Sequence, residues 1–273
     1  MLRAELLKLT TTSASKIALA FGAAGLIVTQ LVSVTLLPAL ASGQIGPGAE
    51  AIGEDVPALD LVTSAGQLTA LSPLGAPGGA GSLSIAVLAI ALMGVLAGTS
   101  DYRFGGIVTT ALAQPSRVRM LMAKAAAVGV AGLVTGAVFA IVSTATLLIT
   151  LGIAGTQLAI EPTVIAAVLA RSVLAIACLT VIWLSVGVLA RSQLAGVLVM
   201  LGLLVLEMIV QSIAQLIVGS MPTWAQLLPL SLTNAVIGTG ASGLSLPVAA
   251  AALLALTAIA LTLAALALRR RDI

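Results

Sequence analysis

The residues able to do chemistry are few. The 273-residue chain has no histidine and a lone Cys178 inside an apolar run. Disulfide frameworks, thiolate zinc sites and His-based catalysis are therefore excluded together, and Cys178 reads as a small packing residue. No His-Glu-x-x-His string, Ser/His pair or paired-Asp constellation is present, so no catalytic residue and no metal ligand is assigned. The chain also lacks a Gly-x-x-x-x-Gly-Lys-Ser/Thr loop to cradle ATP phosphates. What remains are ionisable groups inside apolar runs: Glu207 near the middle of one, Arg171 several residues inside another. Each is costly in hydrocarbon unless paired, hydrated or neutralised. They lie roughly 16 Å and 12 Å from the outer ends of their runs, which predicts a pair. Gln211 and Gln215 follow Glu207 by one and two turns, so the three share a face. That stripe either packs against neighbouring helices or faces a pore or dimer interface. Arg171 has a duller alternative, in which its helix starts near Ser172 and the side chain snorkels outward.

The elements that must position these residues are transmembrane. Hydrophobic residues make up 60% of the chain and charged ones 8%, with mean hydropathy +1.23. A soluble domain carries about 25% charge. Apolar runs at 17–40, 83–98, 125–151, 163–189, 194–218 and 246–268 are each long enough to cross or nearly cross a bilayer core of about 30 Å. The first exceeds a signal peptide's apolar region and reads as a span, although Ala39-Leu40-Ala41 has the form of a cleavage site. Arg103, Arg117, Arg119 and Lys124 lie between runs two and three, Arg191 between four and five, and Arg269, Arg270 and Arg271 after six. The connections at 41–82, 152–162 and 219–245 hold no Lys or Arg. Six alternating helices put every basic cluster on one side, which the positive-inside rule names cytoplasmic.

The expected fold is therefore an all-α membrane protein, a single domain over 1–273 with six transmembrane helices and both termini cytoplasmic. Residues 1–16 form a cytoplasmic amphipathic segment. Residues 41–82 form an extracytoplasmic loop with little regular structure, and 219–245 an extracytoplasmic connection with short helices dipping into the outer leaflet. The Gly94/Gly98 and Gly132/Gly136 pairs read as helix packing. The net charge of +3 follows these orientation signals and not a nucleic-acid surface.

Segment 99–124 is the most informative. Phe104, Ile107, Val108, Ala111 and Leu112 recur at helical spacing, giving a short amphipathic helix before Pro115. Ser100 or Asp101 is placed to cap its start, and Ser116 to cap the helix entering the membrane. From spacing alone, such a helix either rests on lipid headgroups or docks into a cytoplasmic partner.

The string Asp101-Tyr102-Arg103-Phe104-Gly105-Gly106-Ile107, with Pro115-Ser116-Arg117 after it, resembles the segment behind the second helix of ABC-2 type exporter permeases. In that family an acidic residue, an aromatic, Arg, a variable residue and Gly-Thr precede a Pro-x-Arg element. Arg3-Ala4-Glu5-Leu6-Leu7-Lys8-Leu9, Leu189-Ala190-Arg191-Ser192 and the tail Arg269-Arg270-Arg271-Asp272-Ile273 are similar to other parts of the layout. Asp101 stands where Glu is usual, Gly106 where Thr is common, and Ser13 and Ala14 where Arg is often found. The resemblance implies a permease subunit in the cell membrane, not an enzyme itself. It further implies a separate ABC ATPase holding ATP and magnesium, and a second permease subunit, identical or homologous. The ATPase-coupling residues would be Asp101, Tyr102, Arg103, Phe104, Gly105, Ile107 and Arg117. The intramembrane polar residues are Arg171, Glu207 and Gln211. The alternative function is a nucleotide-independent secondary transporter or channel, which usually shows repeats or several intramembrane ionisable residues.

Overall fold

The computed structural model describes residues 2–41, 43, 59–75, 83–103, 116–219, 221–239 and 243–270. Every regular element among them is helical: α1 (Leu2–Thr11), α2 (Ser13–Leu31), continued by a π-helical turn (Val32–Leu36) and α3 (Leu37–Ala41), α4 (Ser64–Ala70), α5 (Ile85–Arg103), α6 (Arg117–Ala154), α7 (Pro162–Ala190), α8 (Gln193–Val218), a 3₁₀ turn (Ala225–Leu227), α9 (Pro229–Ile237) and α10 (Leu246–Arg269). Six are long and apolar enough to cross a membrane: α2 with its π turn, α5, α6, α7, α8 and α10. These are the six runs of the sequence. Their ends differ, because helix geometry continues into polar residues that hydropathy leaves out: α5 runs on to Arg103, and α6 starts eight residues before its apolar run. Ser100 and Asp101 therefore lie in the last turns of α5 and are not the caps of a following helix. Ser116 does hold the N-cap position of α6, without a side-chain cap bond.

The hub is α7, against which α5, α6, α8, α9 and α10 all pack. Glycines permit the closest approaches. A Cβ added at Gly94 would lie 2.5 Å from the Thr180 carbonyl oxygen, and one at Gly98 2.6 Å from that of Leu184. At Gly132 and Gly136 it would lie 2.8 Å from the Cα atoms of Ala177 and Val173. Both small-residue pairs are thus seats for α7, as packing requires. Buried hydroxyls in these helices turn back on their own backbone. Ser172 donates to the Val168 carbonyl at 2.7 Å, and Thr180 to that of Ile176 at 2.7 Å, which satisfies each hydroxyl within its own helix.

The connections sort to two ends. At the first, here called the base, α1 packs along α6, Lys8 reaches Asp101 of α5, and Leu9 lies against an apolar cluster that includes Leu121, Val188 and Leu268. At the opposite end, Gln30 of α2 donates to the Ala70 carbonyl at 3.0 Å, and Thr69 to that of Thr239 at 3.2 Å. Segment 59–75 there is more ordered than its composition predicts. Thr63 caps α4 by accepting from the Gly66 N–H at 3.2 Å. Gln67, fully buried, donates to the carbonyls of Leu61 and Gln157 at 2.9 Å each and accepts from the Ala159 N–H at 2.8 Å. One amide side chain thereby ties two connections together, which offsets the irregularity of a Gly- and Ser-rich stretch.

Candidate functional site

Two polar clusters organise the bundle. At the base, Asp101 is 4% exposed and stands between two lysines. Lys8 of α1 donates to its Oδ1 at 2.6 Å, and Lys124 of α6 forms a short ion pair with its Oδ2. Lys124, itself buried, also donates to the Ala97 carbonyl at 3.3 Å, and Glu5 lies 3.7 Å from Lys8. Burial works against the Lys8 ammonium. The Asp101 carboxylate, aided by Glu5, outweighs it and holds Lys8 above its ordinary pKa of 10.5. Next to this cluster, Arg117 of α6 donates to the Leu268 carbonyl at 3.0 Å, satisfying a terminal acceptor of α10 and meeting the negative end of its dipole. A cleft of ≈ 20 Å³, room for about one water, opens beside Asp101 between Tyr102, Met120, Val188 and Leu268.

The base cluster thus joins α1, α5 and α6 through one carboxylate, with α6 tied on to α10. The two helix ends that border residues 104–115 are held together by the Asp101–Lys124 pair. Asp101 and Arg117 are bonded within the bundle, and Tyr102 is half-buried beside them. The backbone of Arg103 ends α5; Phe104, Gly105 and Ile107 lie outside the described residues.

No protein-family model matches the chain, and no curated protein matches it either.

The second cluster corrects the expected Arg171–Glu207 pair. One oxygen of Glu207, Oε1, accepts from the backbone N–H groups of Leu230 and Ser231 at 2.8 and 3.0 Å and from Gln211 Nε2 at 3.2 Å. Gln211 also donates to Ser231 Oγ at 2.8 Å. Glu207 therefore caps the first turn of α9, where a carboxylate meets orphan N–H groups and the positive end of the dipole. Arg171 lies at the other end. A Cβ added to Gly238, the left-handed residue that terminates α9, would come within 3.3 Å of its guanidinium. The two charges bracket α9 from opposite ends instead of meeting. Glu207 is partnered by a helix N-terminus, which hydropathy cannot reveal, and Arg171 Nε donates to the Ala167 carbonyl of its own helix at 3.1 Å. α7 runs unbroken from Pro162 through Arg171, so no helix starts at Ser172. Gln211 is buried with Glu207, whereas Gln215 is exposed.

Glu207 lies eleven residues before the end of α8 at Val218, about 16 Å along the helix. The connection after α8 therefore folds back alongside it to that depth before α9 begins. Sequence reasoning missed Lys8 and Lys124 as partners of Asp101, and Ser231 as a partner of Gln211. Lys8 is 93 residues from Asp101, and no local spacing links them. Lys124 alone carried a signal, since it borders the apolar run of α6 and follows Met120, Leu121, Met122 and Ala123, where a cation calls for a partner. Among the described residues, no three His, Cys, Asp or Glu side chains gather to hold a metal ion.

Proposed function

We propose that this chain is the membrane-spanning permease subunit of an ATP-driven transporter of the ABC-2 type, an exporter by resemblance. It would act in the cell membrane with a second permease, a copy or a homologue, and with a separate ATPase that binds ATP and magnesium. Besides the sequence resemblance, the observation that carries this reading is the base cluster. Asp101 and Lys124 hold together the two helix ends that border residues 104–115, Lys8 adds α1, and Arg117 adds α10. A partner pushing on 104–115 would move these helices as one body. That is what rigid-body switching between inward and outward access requires. The basic residues Lys8, Arg117, Lys124 and Arg269 gather at the base, which supports a cytoplasmic base by the positive-inside rule. The rival, a nucleotide-independent transporter, would draw on Glu207 as an ion or proton relay, yet Oε1 of that carboxylate is engaged in capping α9.

A photo-crosslinking residue at position 104, introduced in living cells, tests the assignment. Capture of a nucleotide-binding protein supports the coupling role. Efficient crosslinking to lipid alone would make 104–115 an interfacial helix and remove the main support for the reading.

A further inference from the structure

We propose that the Lys8–Asp101 pair is a releasable clasp, and that the group competing with Asp101 for α1 is the anionic headgroup of a phospholipid.

Helix α1 is held lightly. None of its ten residues is buried, and only Glu5, Leu6 and Leu9 turn half-buried faces to the bundle. Thr12, in an extended conformation with no side-chain cap bond, separates α1 from α2 and leaves a single non-helical residue as the joint. The charge link is Lys8, whose side chain is 46% exposed. A pair this open contributes little, because water screens it and the long side chain loses freedom.

Asp101 does not depend on Lys8. Lys124, with a side chain 8% exposed, pairs with the other oxygen. Departure of Lys8 therefore leaves no buried carboxylate without a counter-charge, the circumstance that makes most buried pairs costly to break. One anion shared by two cations is suited to let the more exposed cation go.

The outward face of α1 fits an anionic lipid surface. Leu7 is an exposed apolar side chain with exposed Arg3 one turn before it on the same face, Leu2 is exposed at the helix start, and Lys16 is exposed one turn into α2. Glu5 is the one acid on the helix and faces the bundle. Apolar side chains set among cations on a short helix favour the plane of the headgroups. The gain of a lysine beside an anionic leaflet is of the same small size as an exposed ion pair, so lipid composition can decide which partner Lys8 takes. This inference rests on the bundle crossing a bilayer with its base toward the anionic leaflet, and not on the transporter reading.

The test uses the full chain in lipid nanodiscs. In a Cys178→Ala background, spin labels at Thr10→Cys on α1 and Met122→Cys on α6, both exposed, report the separation of the two helices. In phosphatidylcholine alone the expected distribution is single and short. In a mixture rich in phosphatidylglycerol, a second, longer population should grow to rival the first. Lys8→Gln should show the longer population in both lipids, while Lys8→Arg, which keeps the charge, should follow the parent. An identical parent distribution in both lipids would overturn the proposal, even if Lys8→Gln opens, because lipid would then not compete. An unmoved Lys8→Gln would overturn the clasp itself.

Discussion

Replacing Asp101 by Asn removes the negative charge from a cluster that holds a buried lysine. Lys124, 6% exposed, would keep its 3.3 Å contact to the Ala97 carbonyl and at most a neutral amide oxygen in place of the carboxylate. Breaking a buried pair by deleting one partner costs about 3–5 kcal/mol. The base lies near the end of the bundle, where a lysine can partly snorkel to water, so about 2–4 kcal/mol is expected for Asp101→Asn. Lys124→Met is milder, about 1–2 kcal/mol, because Asp101 keeps Lys8 at 2.6 Å and the new side chain suits the apolar surroundings. The double variant should lie within about 1 kcal/mol of the parent, since no buried charge is then unmatched. Unfolding in mild detergent, followed by the fluorescence of Trp183 and Trp224, gives all three values. An Asp101→Asn cost below that of Lys124→Met, or a double variant worse than either single, would refute the assignment of the cluster.

Other outcomes follow from the same geometry. Glu207→Leu strips the cap of α9 and should cost about 1–2 kcal/mol, while Glu207→Gln, which keeps an acceptor, should cost about half as much in thermal unfolding. The charge swap Arg171→Glu with Glu207→Arg should give no rescue, because each residue would then oppose the dipole at its own end of α9. Gly94→Ala should cost about 2 kcal/mol by pushing against the Thr180 carbonyl, whereas Gly202→Ala, with nothing within 4 Å of the added carbon, should be neutral or slightly stabilising. Lys8 is held above its ordinary pKa, so its contribution is fully present below pH 10.5 and is lost as pH rises through the higher folded value. The stability gap between the parent and Lys8→Gln should accordingly stay constant from neutral pH to about 10 and close above it.

The six spans were legible because a bilayer demands about 20 apolar residues per crossing, and little else in a sequence mimics that. Their polar ends were not, since Thr99 to Arg103 carry no apolar signal but remain hydrogen-bonded helix. The role of Glu207 was half legible: its place inside a long apolar helix followed from hydropathy, but its partners are N–H groups 23 and 24 residues further on, and backbone donors leave no mark in side-chain patterns. Helix α4 was hidden by Gly, Ser and Ala. The signal was Thr63 as a cap followed by the buried Gln67, an ordering that depends on distant carbonyls. The base cluster is the clearest case of a site written by topology. Asp101 reads as a helix cap or a partner contact in isolation, and becomes a junction only when α1 and α6 fold beside it.

We propose that a separate ATPase works through the base of this bundle. Purification of the tagged chain from its own cells in mild detergent, with mass spectrometry and an ATP hydrolysis assay of the eluate, tests it most directly. A stoichiometric nucleotide-binding protein with ATPase activity is expected, lost when Phe104, Gly105 and Ile107 are replaced while membrane insertion is kept. An eluate from several gentle detergents that holds the intact chain and no ATPase would contradict it.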